Sequence, residues 1–299
     1  MFESEEDQQH FLAKYNISQD QFRKSLITWD TLREIVDDFE AHKNEYLNTV
    51  QEYALAIQQC SGVHSLSFRI KETEHLIEKI IRKNGKYAVE GKIITTNNYK
   101  DYITDLMGIR ILLLFKEDWR EVHSFLMKQY SEMFIEEPFA YIRKGDSRNL
   151  YDGIVIIKED RPYRSVHYVI RNADGAGLEI QIRTLFEEAW SEVDHKIRYP
   201  YNINNEMMNV YLEIMNRAAG MADEMGTFIN NYIRSFEEIS SKGMLCDNDV
   251  YNYIIERISI CEDEELKEDI IGRIRQVEDF RKLNHMSDVM KNILKNIDK

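Results

Sequence analysis

The segment Leu178-Glu179-Ile180-Gln181-Ile182-Arg183-Thr184 alternates apolar and polar residues without a break. With a period of two, Leu178, Ile180 and Ile182 share one face of a strand, and Glu179, Gln181 and Arg183 share the other. An acid, an amide and a guanidinium in one row read as the wet side of a sheet, or as the lining of a site in which Glu179 is a base and Arg183 clamps a phosphate. A second acid, Asp105, stands just before Gly108 and the apolar run Ile109–Phe115, which has the character of a buried strand. At the mouth of such a strand Asp105 is a suitable hard oxygen ligand for Mg²⁺. Arg110 is a cation at the start of that run and needs a partner, either a carboxylate or a nucleotide base. A structural salt bridge between Asp105 and Arg110 is the plainer alternative.

Two further groups have chemical possibilities. In Arg69–Lys83, Leu76, Ile77, Ile80 and Ile81 make a helical stripe, while Lys71, His75, Lys79 and Arg82 fall close to one helical face. Several cations in a row suit a chain of phosphates. The same row also reads as a solvated basic face paired with Glu72, Glu74 and Glu78. In Tyr163-Arg164-Ser165-Val166-His167, Tyr163, Ser165 and His167 share a strand face, an aromatic platform beside two hydrogen-bonding groups, although a lone histidine is more often structural. The helix 185–198 would bury Leu185, Phe186, Ala189, Trp190, Val193 and Ile197. It leaves Glu188, Ser191, Glu192, Asp194 and His195 elsewhere, of which Asp194 or Glu192 could help to hold a metal.

Three regions must position these residues. Residues 1–60 read as helical, with Leu26, Trp29, Leu32, Ile35, Val36 and Phe39 recurring at three- and four-residue spacings. Residues 61–200 alternate helical stretches with strand-like runs at 109–115, 153–157, 163–171 and 178–183, which predicts a sheet with helices packed on it. Residues 201–299 return to helix: an apolar stripe over 207–236, then charged amphipathic stretches at 250–260 and 264–283, suited to a cap or an oligomerisation surface. Only three prolines and twelve glycines interrupt the chain, as expected for long helices.

Composition narrows the class. The 299 residues, 43% hydrophobic and 31% charged, are an ordinary globular balance. No apolar run approaches the ~20 residues that span a bilayer, and the acidic start Met1-Phe2-Glu3-Ser4-Glu5-Glu6-Asp7 has no signal-peptide layout. Cys60, Cys246 and Cys261 form no CxxC pair. These features predict a cytoplasmic protein without a membrane partner. A net charge of −14 disfavours nonspecific nucleic-acid binding and excludes DNA as an expected partner.

Taken together and in order, the motifs resemble the synthetase domain of the RelA/SpoT homologue family, the (p)ppGpp synthetases. Arg69-x-Lys71 with Lys79 and Arg82 is similar to the family's ATP-binding helix, and Asp105-Leu-Met-Gly-Ile-Arg110 to its Asp-x-x-Gly-Ile-Arg motif. Tyr163-Arg-Ser-Val-His167 resembles its acceptor-binding loop and strand. Glu179-Ile-Gln-Ile-Arg-Thr184 and Trp190-Ser-Glu-Val-Asp-His-Lys196 resemble its catalytic strand and following helix. The likeness implies an α+β fold: a mixed-sheet, nucleotidyltransferase-like core with helices packed on it, flanked by helical segments. It implies that Arg69 and Arg110 sandwich adenine, that Lys71, Lys79 and Arg82 grip the triphosphate, and that Asp105 and Glu179 hold Mg²⁺. Glu179 would also act on the acceptor's 3′-hydroxyl. Tyr163 would stack on the acceptor base, with Arg164 and His167 near its phosphates and Gln181 and Arg183 lining the acceptor site.

Two departures stand out: Arg161-Pro162 replaces the Asn-Gly usual before the loop tyrosine, and Asp194 replaces the Glu usual before the helix histidine. The expected partners are ATP and GDP or GTP, with self-association through the terminal helices. A small-family toxin that modifies the tRNA 3′ end or makes adenosine alarmones is the alternative within the same chemistry. It would favour a basic patch of Arg143, Lys144, Arg148 and Lys158. A nucleotide-binding scaffold is the non-enzymatic alternative. The chain has no His-Asp dipeptide, and its first 60 residues are too short for the hydrolase domain of the long members, so synthesis without hydrolysis is expected.

Overall fold

The structure is a computed structural model that describes residues 2, 4–87, 91–144, 146–198 and 205–241, with 264–265, 267–269 and 271 beyond them. The stretch 250–260 and most of 264–283 therefore lie outside the described residues, as do Cys246 and Cys261. Contact clustering divides the chain into two compact units, Met1–Arg217 and Ala218–Lys299.

Three helices open the first unit: α1 (Glu5–Lys14), α2 (Gln19–Lys24) and α3 (Trp29–Ile57). Each starts on a hydroxyl that caps free backbone N–H groups, Ser4, Ser18 and Thr28 respectively. The expected stripe on α3 buries Leu32, Ile35, Val36 and Phe39, continuing through Tyr46, Val50, Ala54 and Ile57. Leu26 is not part of it. It precedes the helix with φ 54° and is 61% exposed.

The remaining elements are β1 (Ser65–Ile70), α4 (Thr73–Tyr87), α5 (Tyr99–Tyr102), β2 (Met107–Leu113), α6 (Trp119–Tyr130), β3 (Phe139–Tyr141), β4 (Ile156–Lys158), β5 (Ser165–Arg171), β6 (Gly177–Thr184), α7 (Leu185–Arg198) and α8 (Glu206–Ser241). The six strands form one sheet in the order β1-β2-β6-β5-β3-β4. The β2–β6 and β3–β4 pairs are parallel; β1–β2, β6–β5 and β5–β3 are antiparallel. This is the mixed sheet with packed helices that the sequence predicts. Two strands go beyond that prediction. β1 overlaps the basic row only at Arg69 and Ile70, and β3 is too short to show as an apolar run.

The alternation in β6 holds: Leu178, Ile180 and Ile182 are buried, while Glu179, Gln181 and Arg183 are only partly so. β2 alternates too, with Met107, Ile109, Ile111 and Leu113 inside and Gly108 and Arg110 on the other face. The inward residues join those of α3, α4 and α6 in one core, while α7 packs back over β6 and β2 on the polar side. No described helix is long and apolar enough to cross a membrane.

Candidate active site

Register across the sheet assembles the site. Arg69 of β1 lies opposite Gly108 of β2, and Gly108 lies opposite Glu179 of β6. Gly108 leaves room for the Arg69 side chain, whose Cγ would lie 3.5 Å from an added Cβ, an ordinary contact. One row along, Arg110, Gln181, His167 and Phe139 are consecutive cross-strand partners. Asp105 reaches the same place from the turn before β2. There Gly177, at the start of β6, meets the Thr104 backbone so closely that a Cβ would sit 2.6 Å from Thr104 Cα and O. Only glycine permits that approach, which brings Asp105 to the edge of the catalytic strand.

These residues line a cleft of about 610 Å³, a size that suits nucleotide-scale ligands. Arg69, Asp105, Arg110, Tyr163, Glu179, Gln181 and Arg183 all face it, as do Trp190, Ser191, Glu192, Asp194, His195 and Arg198 from α7. Lys71 and Lys79 enter through Asp105, whose Oδ2 accepts from their ammonium groups at 2.9 and 2.8 Å. Lys71 stands in the turn between β1 and α4, so the basic row is split between a strand end and a helix. Burial works to raise the Asp105 carboxyl, but the two lysines prevail and hold it down at about 2. Burial likewise lowers Lys71, with Asp105 opposing it.

Glu179 is also held ionised. Burial alone would raise it, but the hydrogen bond from His167 Nδ1 to its Oε1 at 2.8 Å and the charge of that ring bring it below the usual range. Asp105 is near enough to oppose this shift electrostatically. Arg110 pairs with both Glu188 and Glu192 of α7, not with Asp105, so the alternative of a structural Asp105–Arg110 salt bridge does not hold. Arg183 bonds to Glu188 at 3.1 Å and Ser165 Oγ at 3.3 Å, and its guanidinium lies 5.5 Å from the Tyr163 ring centre. Burial raises the Tyr163 phenol to about 12, with Tyr141 adding to the shift, so the ring is neutral at ordinary pH.

Three expected site residues are held by partners within the chain. Arg82 is turned to Glu78 and to the Tyr15 carbonyl, 3.1 Å away. His167 meets the site through Glu179, as Lys71 and Lys79 do through Asp105, and stands beside Gln181 on the same face of the sheet. Arg164 points to the opposite side, where it pairs with Asp146 at 2.6 Å and with Glu187, and donates to Asn216 at 3.3 Å. Adjacent strand residues face opposite ways, so Arg164 parts from Tyr163 and Ser165.

Glu188 and Glu192, one helical turn apart, are the site residues with the weakest sequence signal. Their i, i+4 spacing showed a common face but not that it meets Arg110. The buried side of α7 also differs from the apolar expectation: Glu187 and Trp190 are buried, whereas Phe186 and Val193 are 44% and 37% exposed.

The donor set can hold Mg²⁺. Asp105 Oδ1 is buried and has no hydrogen-bond partner among the described residues, so one carboxylate oxygen remains available. No group of three or more acidic, His or Cys side chains is gathered among the described residues. Asp105 and Glu179 alone suit a cation that usually takes one or two carboxylates and completes its shell with substrate phosphates and water.

Comparison with known proteins bears on the fold and on the family that the chain resembles. Residues 68–204 match the family model described as a region found in RelA / SpoT proteins. GTP pyrophosphokinase YwaC of Bacillus subtilis (strain 168) is 28% identical over 179 residues, covering 58% of this chain and 74% of that protein. GTP pyrophosphokinase YjbM of the same organism is 24% identical over 218 residues, covering 70% of this chain and 90% of that one. Among solved structures, small alarmone synthetase 1 from Bacillus subtilis shares the fold with a TM-score of 0.50 at 22% identity, covering 66% of this chain and 98% of that chain.

Proposed function

We propose that this chain, whose residues 68–204 match the model of a region found in RelA / SpoT proteins, is an ATP-dependent GTP pyrophosphokinase that makes (p)ppGpp in the cytoplasm. Both curated relatives described above are GTP pyrophosphokinases. The observation that carries the reading is the meeting of Asp105 and Glu179 in one cleft, the first braced by Lys71 and Lys79 and the second by His167.

The acceptor's 3′-hydroxyl oxygen attacks the β-phosphorus of ATP. The bond from that phosphorus to the α,β-bridging oxygen breaks, and AMP leaves carrying that oxygen. Glu179 orients the hydroxyl and takes its proton as the new bond forms. Lys71 and Lys79 exchange their bonds to Asp105 for triphosphate oxygens, and Arg69 and Arg110 flank the adenine. Tyr163 stacks on the acceptor base, with Gln181 and Arg183 beside it. Asp105 and Glu179 would hold Mg²⁺, which when bound supplies neutralisation of phosphate charge. Positioning and charge carry such a transfer without a covalent nucleophile.

Of the four residues that would favour a tRNA acceptor, Lys144 is exposed and the other three have partners within the chain. Arg143 pairs with Asp146, Arg148 pairs with Glu159, and the Lys158 ammonium lies 3.2 Å from the Phe139 ring centre. The test offers the purified chain ATP and Mg²⁺ with GDP, GTP, adenine nucleotides or deacylated tRNA in separate reactions, resolved by anion exchange. AMP with ppGpp or pppGpp is the expected result. AMP with modified tRNA or adenosine alarmones moves the acceptor, and no AMP with any acceptor overturns the enzyme reading.

A further inference from the structure

Residues 159–164 link β4 to β5 and carry Tyr163, and among the described residues no turn or loop backbone–backbone hydrogen bond involves them. Side chains hold this segment instead. The Arg164 backbone N–H donates to Glu187 Oε2 at 3.2 Å, and the Pro162 carbonyl accepts from Asn216 Nδ2. The residues on either side of Tyr163 are therefore tied to two helices, α7 and α8.

Asn216 is 3% exposed and uses both ends of its amide: Oδ1 accepts from Arg164 Nη1 at 3.3 Å while Nδ2 serves Pro162. A guanidinium only donates and a carbonyl only accepts, so these partners settle which way the amide points. Helix α8 is itself anchored one turn earlier, where Trp190 Nε1 of α7 donates to the Leu212 carbonyl at 2.9 Å. Proline has no N–H and a φ fixed by its ring. Pinning its carbonyl fixes the remaining backbone torsion as well, and with it the direction in which the chain enters Tyr163. We propose that Asn216 is a positioning residue for Tyr163, acting through the Pro162 carbonyl, and so gives helix α8 a part in binding the acceptor base. The proposal rests on the synthetase reading above, in which the Tyr163 ring is the platform for that base, and deepens it. The ring faces the cleft with Tyr141 at 5.1 Å and the Arg183 guanidinium at 5.5 Å, so a change in its entry angle changes the surface offered to the base.

Two substitutions separate this role from a general structural one. Asn216→Asp keeps an oxygen to accept from Arg164 and removes the donor to Pro162, whereas Asn216→Ala removes both. Steady-state AMP release is measured for each and for the wild type, with GDP varied at saturating ATP and the reverse. A neutral hydrogen bond is worth up to about a tenfold change in an equilibrium. The expected pattern is a KM for GDP raised by about fivefold to tenfold in both variants, with kcat within about threefold and the KM for ATP within about twofold of wild type, because binding is weakened while the reacting groups stay in place.

An unchanged KM for GDP in either variant overturns the proposal, and so does a KM for ATP that rises in step with it. Absence of AMP from the wild type counts against the synthetase reading instead. The positioning claim is then decided by amide hydrogen exchange without substrate. Faster exchange confined to residues 159–165 in Asn216→Asp supports it, and exchange equal to wild type there refutes it. If Asn216→Asp does not fold, Asn216→Ser, whose side chain is too short to span to the Pro162 carbonyl, takes its place in both measurements.

Discussion

At the residue scale the site is a set of charges that answer one another before any substrate arrives. Asp105 stands between Lys71 and Lys79, and its carboxyl is held at about 2 although burial works to raise it from 3.8. A carboxyl depressed by folding contributes stability that is complete above the unfolded value and is lost as pH falls through the folded one. The window is therefore between about pH 4 and pH 2. That depression of the carboxyl corresponds to about 2 kcal/mol. Urea unfolding of the wild type should lose up to that amount more than Asp105→Asn across this range. Parallel curves for the two proteins would show that the lysines do not stabilise the ionised carboxylate. Glu179→Gln keeps the size and the acceptor for His167 but lacks a group that takes a proton, so kcat should fall by about 10²–10⁴-fold. Binding of an ATP analogue, followed by calorimetry, should stay within a few-fold of wild type. Normal turnover by that variant would remove Glu179 from the chemistry.

At the element scale, the approach of β6 to the turn before β2 sets the distance between the two acids. Gly177 touches the Thr104 backbone, and Thr104 is followed directly by Asp105. Gly177→Ala adds a methyl group 2.6 Å from backbone atoms that have no flexible end to move aside. Overpacking of this kind costs about 1–3 kcal/mol. It should lower the melting temperature and, by displacing Asp105, reduce kcat by about 10²-fold. A variant with wild-type melting and turnover would mean that the turn yields without consequence. The expected periodicity served well within elements: β6 alternates as written, and α4 buries Leu76, Ile77, Ile80 and Ile81 as its stripe required. It could not find β1, because Ser65–Ile70 becomes a strand only through pairing with β2.

At the scale of the whole fold, Arg164 is a tie between distant segments. From the position just before β5 it reaches Asp146, Glu187 of α7 and Asn216 of α8, all within the first compact unit. The Glu187 side chain is 2% exposed, so removing its partner strands a buried charge. Removing one member of a buried pair costs about 3–5 kcal/mol. Arg164→Met should therefore lower stability by that order in chemical denaturation, while the folded fraction keeps its KM for GDP. A variant of normal stability with a raised KM would return Arg164 to the acceptor site. The contrast with Arg183 is instructive, since that side chain is also buried but lies against Tyr163 in the cleft.

The sequence by itself determined the chemistry on offer: which acids and cations exist, how they alternate along a strand, and an order of motifs that resembles a RelA/SpoT synthetase region. These are local properties, carried by residue type and by periods of two and 3.6. The same period of two already separated Arg164 from Tyr163, Ser165 and His167. Only the tertiary structure decided which charges meet. Asp105 turned to Lys71 and Lys79, Arg110 turned to Glu188 and Glu192, and His167 turned to Glu179. Each of these partners is a long-range neighbour or lies on a different element. A buried charge takes whichever opposite charge the sheet register brings within reach, and register is a property of strand pairing across the fold.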